Sequence, residues 1–355
     1  MKIGVVGRYG VKDGIAIYTK YLVEELNKIE IVRVFPLNNP DSNNIFSHLS
    51  IILNAIKNSD ILHFQERLYG HLWKFSGILT PLIYLFLAIF RKPVITTIHE
   101  RNWGRRNGVK AKFVRIYMAF IDFFVLSFSD LVIVHTKELK RNLGDKSNVI
   151  MIRHGTFEMP KLNKTESKSK LGFLGKYVIM NFGFLDSKKN YSLIIDSLDE
   201  INKKMDKEVL LVLAGGPRNE RDRALFDWLY QKEKEGKLKI AGFIPEKEIP
   251  NWISSADLLV FPYSSVSESG ALQIALSCRK PALVSDLGAF KELKEEYSCV
   301  ELVSDREWEL KIVKFLKDKK KQNFLVSRIN EYLDKNSWQQ SALKHIESYE
   351  GILKI

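Results

Sequence analysis

The 355-residue chain has little cysteine, a shortage of acid and no long apolar run, and each lack removes a class of protein. Its two cysteines, Cys278 and Cys299, lie inside apolar segments that read as core, which excludes a disulfide framework and fits a reducing compartment. The longest apolar run, Gly77 to Phe90, is shorter than the roughly 18 to 20 residues that cross a bilayer. Arg91-Lys92 follow it, and it reads as either a buried or an interfacial helix. Met1-Lys2-Ile3-Gly4-Val5-Val6 opens as a short buried strand, so no secretory signal is expected. Acidic residues number 42 against 55 Lys and Arg, a net charge of +13. The excess is concentrated in residues 1–160, where 22 basic residues face 13 acidic ones. Its densest group, Arg101, Arg105, Arg106, Lys110, Lys112 and Arg115, contains no acid. That group is either a solvated loop and helix start or an attraction for an anionic surface, acidic phospholipid or a phosphorylated substrate. No recognition motif and no stacking platform of interleaved aromatics accompany it, so nucleic acid is not an expected partner.

What is present is an alternation of short apolar runs with longer amphipathic ones, and 45% hydrophobic residues suffices for two cores. Strands are expected at 3–6, 32–35, 61–64, 94–98, 131–134 and 149–152, with helices near 15–29, 46–57, 72–90, 109–128 and 136–143. A polar stretch, Glu158 to Lys170, interrupts the series as a linker would. A second series has strands at 178–182, 210–214, 238–240, 258–261, 282–284 and 300–303, and helices near 190–202, 219–234, 247–254, 269–277 and 305–334. Strands without clean alternation, separated by helices, predict parallel sheets covered on both faces. The expected fold class is therefore α/β, two doubly wound domains in tandem, with ligands at the carboxyl ends of the strands. An amphipathic segment, about Ser337 to Leu353, closes the chain.

Four places in this pattern can carry chemistry. The loop Gly7 to Ile15 is glycine-rich without being Gly-x-Gly-x-x-Gly; it is a structural turn or one that lets backbone at Gly14 approach a ligand. Thr96-Thr97-Ile98-His99-Glu100 ends a buried strand, where a lone histidine is either structural or part of a site. Lys189, in Gly183 to Asn190, stands at a helix start, where a cation is unfavourable to the dipole unless an anion is also there. The loop Ser264 to Gly270 lies between a buried strand and a helix, and free N–H groups, the helix dipole and the missing Cβ of Gly270 make it an anion site. No His, Cys, Asp or Glu group has metal-ligand spacing, and no Gly-x-Ser-x-Gly or Walker loop occurs.

In order along the chain, these pieces resemble the retaining GT-B glycosyltransferases of family 4. The resemblance rests on the Asp13-Gly14 loop, Thr97-Ile98-His99-Glu100, Val132 to Thr136, Gly183 to Lys189 and Leu213-Ala214-Gly215-Gly216-Pro217. It continues through Ile240-Ala241-Gly242-Phe243, Ala256 to Tyr263, Ser267-Glu268-Ser269-Gly270, Arg279-Lys280-Pro281, Gly288 to Glu292 and Ser337-Trp338. It implies a GT-B fold, two Rossmann-like domains with a cleft between them: 1–160 with the returning helix 337–355 for the acceptor, and 171–336 for a nucleotide-sugar. By the same resemblance Lys189 neutralises the leaving diphosphate with help from Ser269, Gly270 and Ala271, and Phe243 lies near the base. Gly183, Gly215, Ser267, Glu268 and Glu292 complete the donor contacts. His99 looks like the family's histidine beside the transferred sugar, while Gly14 and Glu100 belong to an acceptor or phosphate loop. No cofactor and no metal are implied; the donor, UDP- or GDP-linked, is a substrate.

Two departures stand out. Phe184 occupies the place of an arginine that often precedes the family's lysine, and the family's Glu-x7-Glu falls on Val266 and Ile274. Glu268 is the nearest acid to the vacant position. The expected function is metal-independent, retaining sugar transfer to a glycan or lipid-diphosphate-linked acceptor in cell-surface polysaccharide or glycoconjugate synthesis. Its expected place is cytoplasmic, peripheral at an anionic inner membrane face. The alternative is a non-catalytic relative that binds nucleotide-sugar or a partner enzyme; the acidic and histidine sites of a nucleotide-sugar epimerase find no match.

Overall fold

The computed structural model describes residues 1–11, 14–37, 45–66, 75–99, 109–217, 223–266 and 269–354. The chain divides into two compact units, Met1–Gly155 with Trp338–Ile355, and Thr156–Ser337.

In the first unit, strands β1(Lys2–Gly7), β2(Ile31–Pro36), β3(Ile61–Glu66), β4(Val94–Ile98), β5(Leu131–Val134) and β6(Val149–Met151) form one parallel sheet in the order β2-β1-β3-β4-β5-β6. Every residue of β4 and β5 is buried, which explains why these runs show no polar alternation. Helices α1(Gly14–Leu26), α2(Ile45–Asn58), α3(Phe75–Ile89), α4(Val109–Phe128) and α5(Lys137–Asn142) connect the strands. Helix α1 buries Ala16, Thr19, Leu22, Val23 and Leu26, a single stripe at helical spacing. The apolar run in α3 proves one-sided: Tyr84 and Leu87 are buried, while Leu82, Leu85, Phe86 and Ile89 are exposed.

In the second unit, β7(Tyr177–Phe182), β8(Val209–Ala214), β9(Lys239–Ile240), β10(Leu258–Phe261), β11(Ala282–Ser285) and β12(Glu301–Val303) form a second parallel sheet, ordered β12-β11-β10-β7-β8-β9. Its helices are α6(Lys164–Leu171), α7(Ser192–Ile195), α8(Leu198–Lys203), α9(Arg223–Lys234), α10(Ile249–Ser255), α11(Gly270–Ser277), α12(Gly288–Tyr297), α13(Trp308–Lys317) and α14(Lys319–Lys335). Strand order reverses between β7 and β10, so the loops after these two strands flank the switch point where an open α/β sheet leaves room for a ligand. Helix α15(Trp338–Leu353) belongs to the first unit, where Ala342, His345, Ile346 and Tyr349 are buried. A Cβ on Gly155 would lie 2.4 Å from the Trp338 ring, so only glycine lets that helix start so close to the chain leaving β6.

Three expectations are corrected. The stretch read as a linker contains α6, because Asn163 caps it by accepting from the N–H groups of Thr165 (2.8 Å) and Glu166 (3.3 Å). Two of its lysines reach Asp257, Lys164 at 2.8 Å and Lys168 at 2.5 Å, so polarity there marks a packed helix rather than a tether. Burial opposes ionisation of Asp257, but these lysines and the Val178 N–H, 2.8 Å away, overcome it and hold the carboxyl below its ordinary range. The segment 305–334 is two helices, since Asp318 leaves helical geometry (φ −98, ψ 88) and caps α14 through Lys321 N–H at 2.9 Å. Residues 190–202 likewise form α7 and α8 rather than one helix, and α12 arises from a segment quoted only as a motif.

Candidate functional site

The second unit gathers its chemistry at the switch point. Strand β7 carries one polar residue among apolar neighbours, Asn181, whose Nδ2 donates to the Val260 carbonyl at 2.7 Å. That contact leaves Oδ1 to accept from Lys189 Nζ at 3.1 Å, and the Phe182 carbonyl accepts from the same ammonium at 2.9 Å. Lys189 ends a 3₁₀ turn, Ser187–Lys189, that Asp186 caps through Lys188 N–H at 2.7 Å. Its side chain is 6% exposed. Burial strips the ammonium of water and brings its pKa down to about 7, with Asp186 pulling the other way. Nζ also stands 5.7 Å from the centroid of the Tyr263 ring, a cation–π placement.

Tyr263 links this lysine to the start of α11. Its hydroxyl is 3.4 Å from Ser269 Oγ, and Ser269 in turn caps the helix by accepting Leu272 N–H at 3.2 Å. Burial pushes the Tyr263 phenol up, so it stays neutral at any physiological pH. Gly270 and Ala271 occupy the first turn, where N–H groups have no intrahelical acceptor. A Cβ placed on Gly270 meets nothing within 4 Å, so this helix end is open. Gly183, at φ +98, follows β7; a Cβ there would sit 2.9 Å from Ala271 Cβ and 3.3 Å from Lys189 Nζ. Gly215, after β8, packs so tightly that its Cβ would lie 2.1 Å from the Gly183 carbonyl oxygen. The fold thus unites Gly183, Lys189, Ser269, Gly270 and Ala271 around one buried cation and one helix N-terminus, with Gly215 supporting the turn. A hollow of about 330 Å³ lies alongside, lined in part by Asn190, Tyr263, Ser264, Ser285 and Asp286.

Other expected residues lie further out. Phe243 is 62% exposed beyond β9, with its Cβ 3.5 Å from where a Gly216 Cβ would be. Glu292 is buried within α12. Ser267 and Glu268 lie outside the described residues, as do Asp13, Glu100, Arg101, Arg105, Arg106 and the side chain of Lys110. Lys112 and Arg115 are exposed on α4.

In the first unit, Gly14 starts α1 in open surroundings. His99 follows β4, with Nε2 2.9 Å from Gln65 Oε1 and Nδ1 3.2 Å from His135 Nε2. Beyond Gln65 the network reaches buried His63, which contacts Thr97 Oγ1 and the Tyr349 hydroxyl, each at 2.7 Å. Burial is the leading cause that lowers the pKa of His135 and His345, each to about 4, and that of His63 and His154 well below the ordinary value. Asn181, Tyr263, His135 and His154 were not singled out from sequence. A polar residue in a buried strand signals the first, and histidines just past neighbouring strands signal the last two.

Residues 163–331 match the model of the family described as glycosyl transferases group 1. No curated protein matches the sequence. Among solved structures, the chain is similar to HepE from Anabaena in complex with UDP (16% identity, 99% of this chain and 100% of that one, TM-score 0.77). It is also similar to sucrose-phosphate synthase from Thermosynechococcus elongatus (16%, 99% of each chain, 0.73). WaaG, a glycosyltransferase involved in lipopolysaccharide biosynthesis, gives 11% identity over 97% of this chain and 98% of that one, with a TM-score of 0.71. The fold is GT-B, with two Rossmann-like α/β units, as the sequence leads one to expect.

Proposed function

We propose that the protein is a retaining glycosyltransferase that takes a sugar from a UDP- or GDP-linked donor, with the donor diphosphate held in the second unit. The observation that carries this reading is Lys189: a buried ammonium fixed by Asn181 and Phe182 beside the open first turn of α11. Without an anion nearby, that arrangement is costly. With a diphosphate present, Lys189 and the N–H groups of Gly270 and Ala271 supply positive charge already in place, so they stabilise the leaving group as charge develops on it. This group does the work a divalent cation does elsewhere, so transfer is expected to proceed without one at the diphosphate. Phe243 would stack near the base, Glu292, Ser267 and Glu268 would complete donor contacts, and His99, Glu100 and Gly14 would serve the sugar and acceptor. Departure and front-face attack within an ion pair require no covalent nucleophile.

A lipid-diphosphate-linked acceptor at an anionic inner membrane face is supported by the surface of α3 and α4. Phe113, Ile116, Phe120 and Phe123 are more than half exposed on α4, beside exposed Lys112 and Arg115. No helix among the described residues is long and apolar enough to cross a membrane. Apolar side chains flanked by cations suit insertion among acidic headgroups.

Binding and hydrolysis of UDP-, GDP- and ADP-sugars test the proposal. Turnover of one donor is expected, with Lys189→Ala reducing it on the order of 100-fold or more. Nucleotide binding with no wild-type turnover across a broad donor and acceptor panel would instead favour a non-catalytic relative, a reading that Phe184, Val266 and Ile274 support.

A further inference from the structure

Three histidines of the first unit stand just past adjacent strands: His99 and His135 directly after β4 and β5, and His154 three residues beyond β6. Parallel pairing in register brings the three chain exits to one edge of the sheet. One nitrogen from each ring lies within 4.8 Å of the other two. Hydrogen bonding assigns the lone pairs. His135 Nδ1 lies 2.9 Å from the Ile152 carbonyl oxygen, which can only accept, so Nδ1 carries the proton and Nε2 the lone pair. His99 Nε2 faces Gln65 Oε1, also an acceptor, so its lone pair is on Nδ1. Those two lone pairs confront each other at 3.2 Å. A positive centre bonded to both removes the repulsion.

We propose that His99, His135 and His154 form a binding site for a divalent transition-metal cation of the zinc class, with one coordination position left for an exogenous oxygen ligand. Metal–nitrogen bonds of about 2.0–2.1 Å in tetrahedral geometry set ligand nitrogens about 3.4 Å apart, close to the His99–His135 separation. His154, half-buried, offers the third ring nitrogen, within 4.8 Å of the other two. A metal-bound imidazole characteristically donates its second N–H to an oxygen that fixes its orientation; Ile152 does this for His135 and Gln65 for His99. Gln65 is itself oriented, since its Nε2 donates to His63 Nε2 at 3.1 Å. An all-imidazole set selects Zn²⁺, Co²⁺, Ni²⁺ or Cu²⁺ over Mg²⁺ and Ca²⁺. The site lies in the first unit, whereas Lys189 lies in the second, and it shares His99 with the residues proposed to serve the sugar and acceptor; metal uptake is read without sugar transfer.

The test uses the full chain without a polyhistidine tag, stripped with chelator and dialysed against Co²⁺ or Zn²⁺ near neutral pH. About one equivalent per chain is expected, the cobalt form showing the visible d–d absorption of a four-coordinate ion. His135→Gln and His154→Gln should each weaken binding at least tenfold, while His48→Gln, outside the cluster, leaves it unchanged. Circular dichroism of the metal-free variants separates lost binding from lost fold; if His135→Gln does not fold, the half-buried His154 decides. A reversed Gln65 amide, with His99 Nδ1–H donating to His135, needs no cation. Wild-type protein that takes up no Co²⁺, or binding that survives His154→Gln, overturns the proposal.

Discussion

Lys189 is a group whose burial opposes the stability of the molecule that contains it. Its pKa is about 7 in the folded chain and about 10.5 when unfolded, so the unfolded state binds more protons between those values. The cost is therefore complete below about pH 7, where the ammonium is charged in both states, and it fades as pH rises toward 10.5. It amounts to several kcal/mol, on the order of 1.4 kcal/mol for each pH unit separating the two values. Lys189→Met, which keeps the length of the side chain, is expected to melt higher relative to wild type at pH 6 than at pH 9. Parallel thermal melts check it, and a difference independent of pH would mean that the folded lysine stays charged throughout, its pKa not lowered by burial. The diphosphate proposed above would offset this cost, and Asn181 and Tyr263 hold the ammonium in place for it.

At the scale of elements, the turns after β7 and β8 are shaped by backbone contact and the start of α11 is not. Gly215→Ala drives its Cβ against the Gly183 carbonyl and should cost several kcal/mol, whereas Gly270→Ala meets open space and should leave the melting temperature nearly unchanged. Denaturant melts of the two variants make the comparison; equal losses would contradict it. The exposed face of α4 predicts a different behaviour. Wild-type protein should pellet with anionic liposomes at low salt and be released as salt rises. The triple change Phe113→Ser, Ile116→Ser and Phe120→Ser should abolish pelleting without lowering stability, because all three side chains lie more than half in solvent. Binding indifferent to lipid charge would remove the membrane from the proposal.

Over the whole molecule, charge and titration are unevenly divided. All seven histidines belong to the first unit. His63 and His345, on β3 and α15, are held neutral by burial, with His345 near pKa 4. Their folded values lie below the unfolded 6.5, so the stability tied to them is complete above about pH 6.5 and falls as pH drops below it, for His345 down to about 4. The second unit has no histidine, and its Asp257 and Glu301 are held below their ordinary range by lysine partners although burial alone would raise them. Acid should therefore open the first unit before the second. Hydrogen exchange mapped by mass spectrometry at stepped pH reads this directly: protection should disappear first in β1 to β5 and α15, and simultaneous loss in both units would refute it.

Much of this was legible in the residues. Apolar runs gave the strands to within a residue or two, because a strand buried on both faces is built mostly of apolar residues. The glycine turn at Gly183 and the helix start at Ser269-Gly270 were legible as well, since turns and helix starts are local chemistry. The helix α6 escaped notice because its stability comes from Asn163 and from two lysines reaching Asp257, about ninety residues away in the chain. The same holds for Asn181 and Tyr263, whose roles exist only once β7 and β10 lie side by side. It holds most of all for His99, His135 and His154: no spacing along the chain relates them, and only the parallel register of β4, β5 and β6 brings their nitrogens together. Sequence determined the elements, their turns and their helix starts because these are set by neighbours in the chain. Tertiary structure decided which polar side chains meet, because that depends on contacts no local pattern encodes.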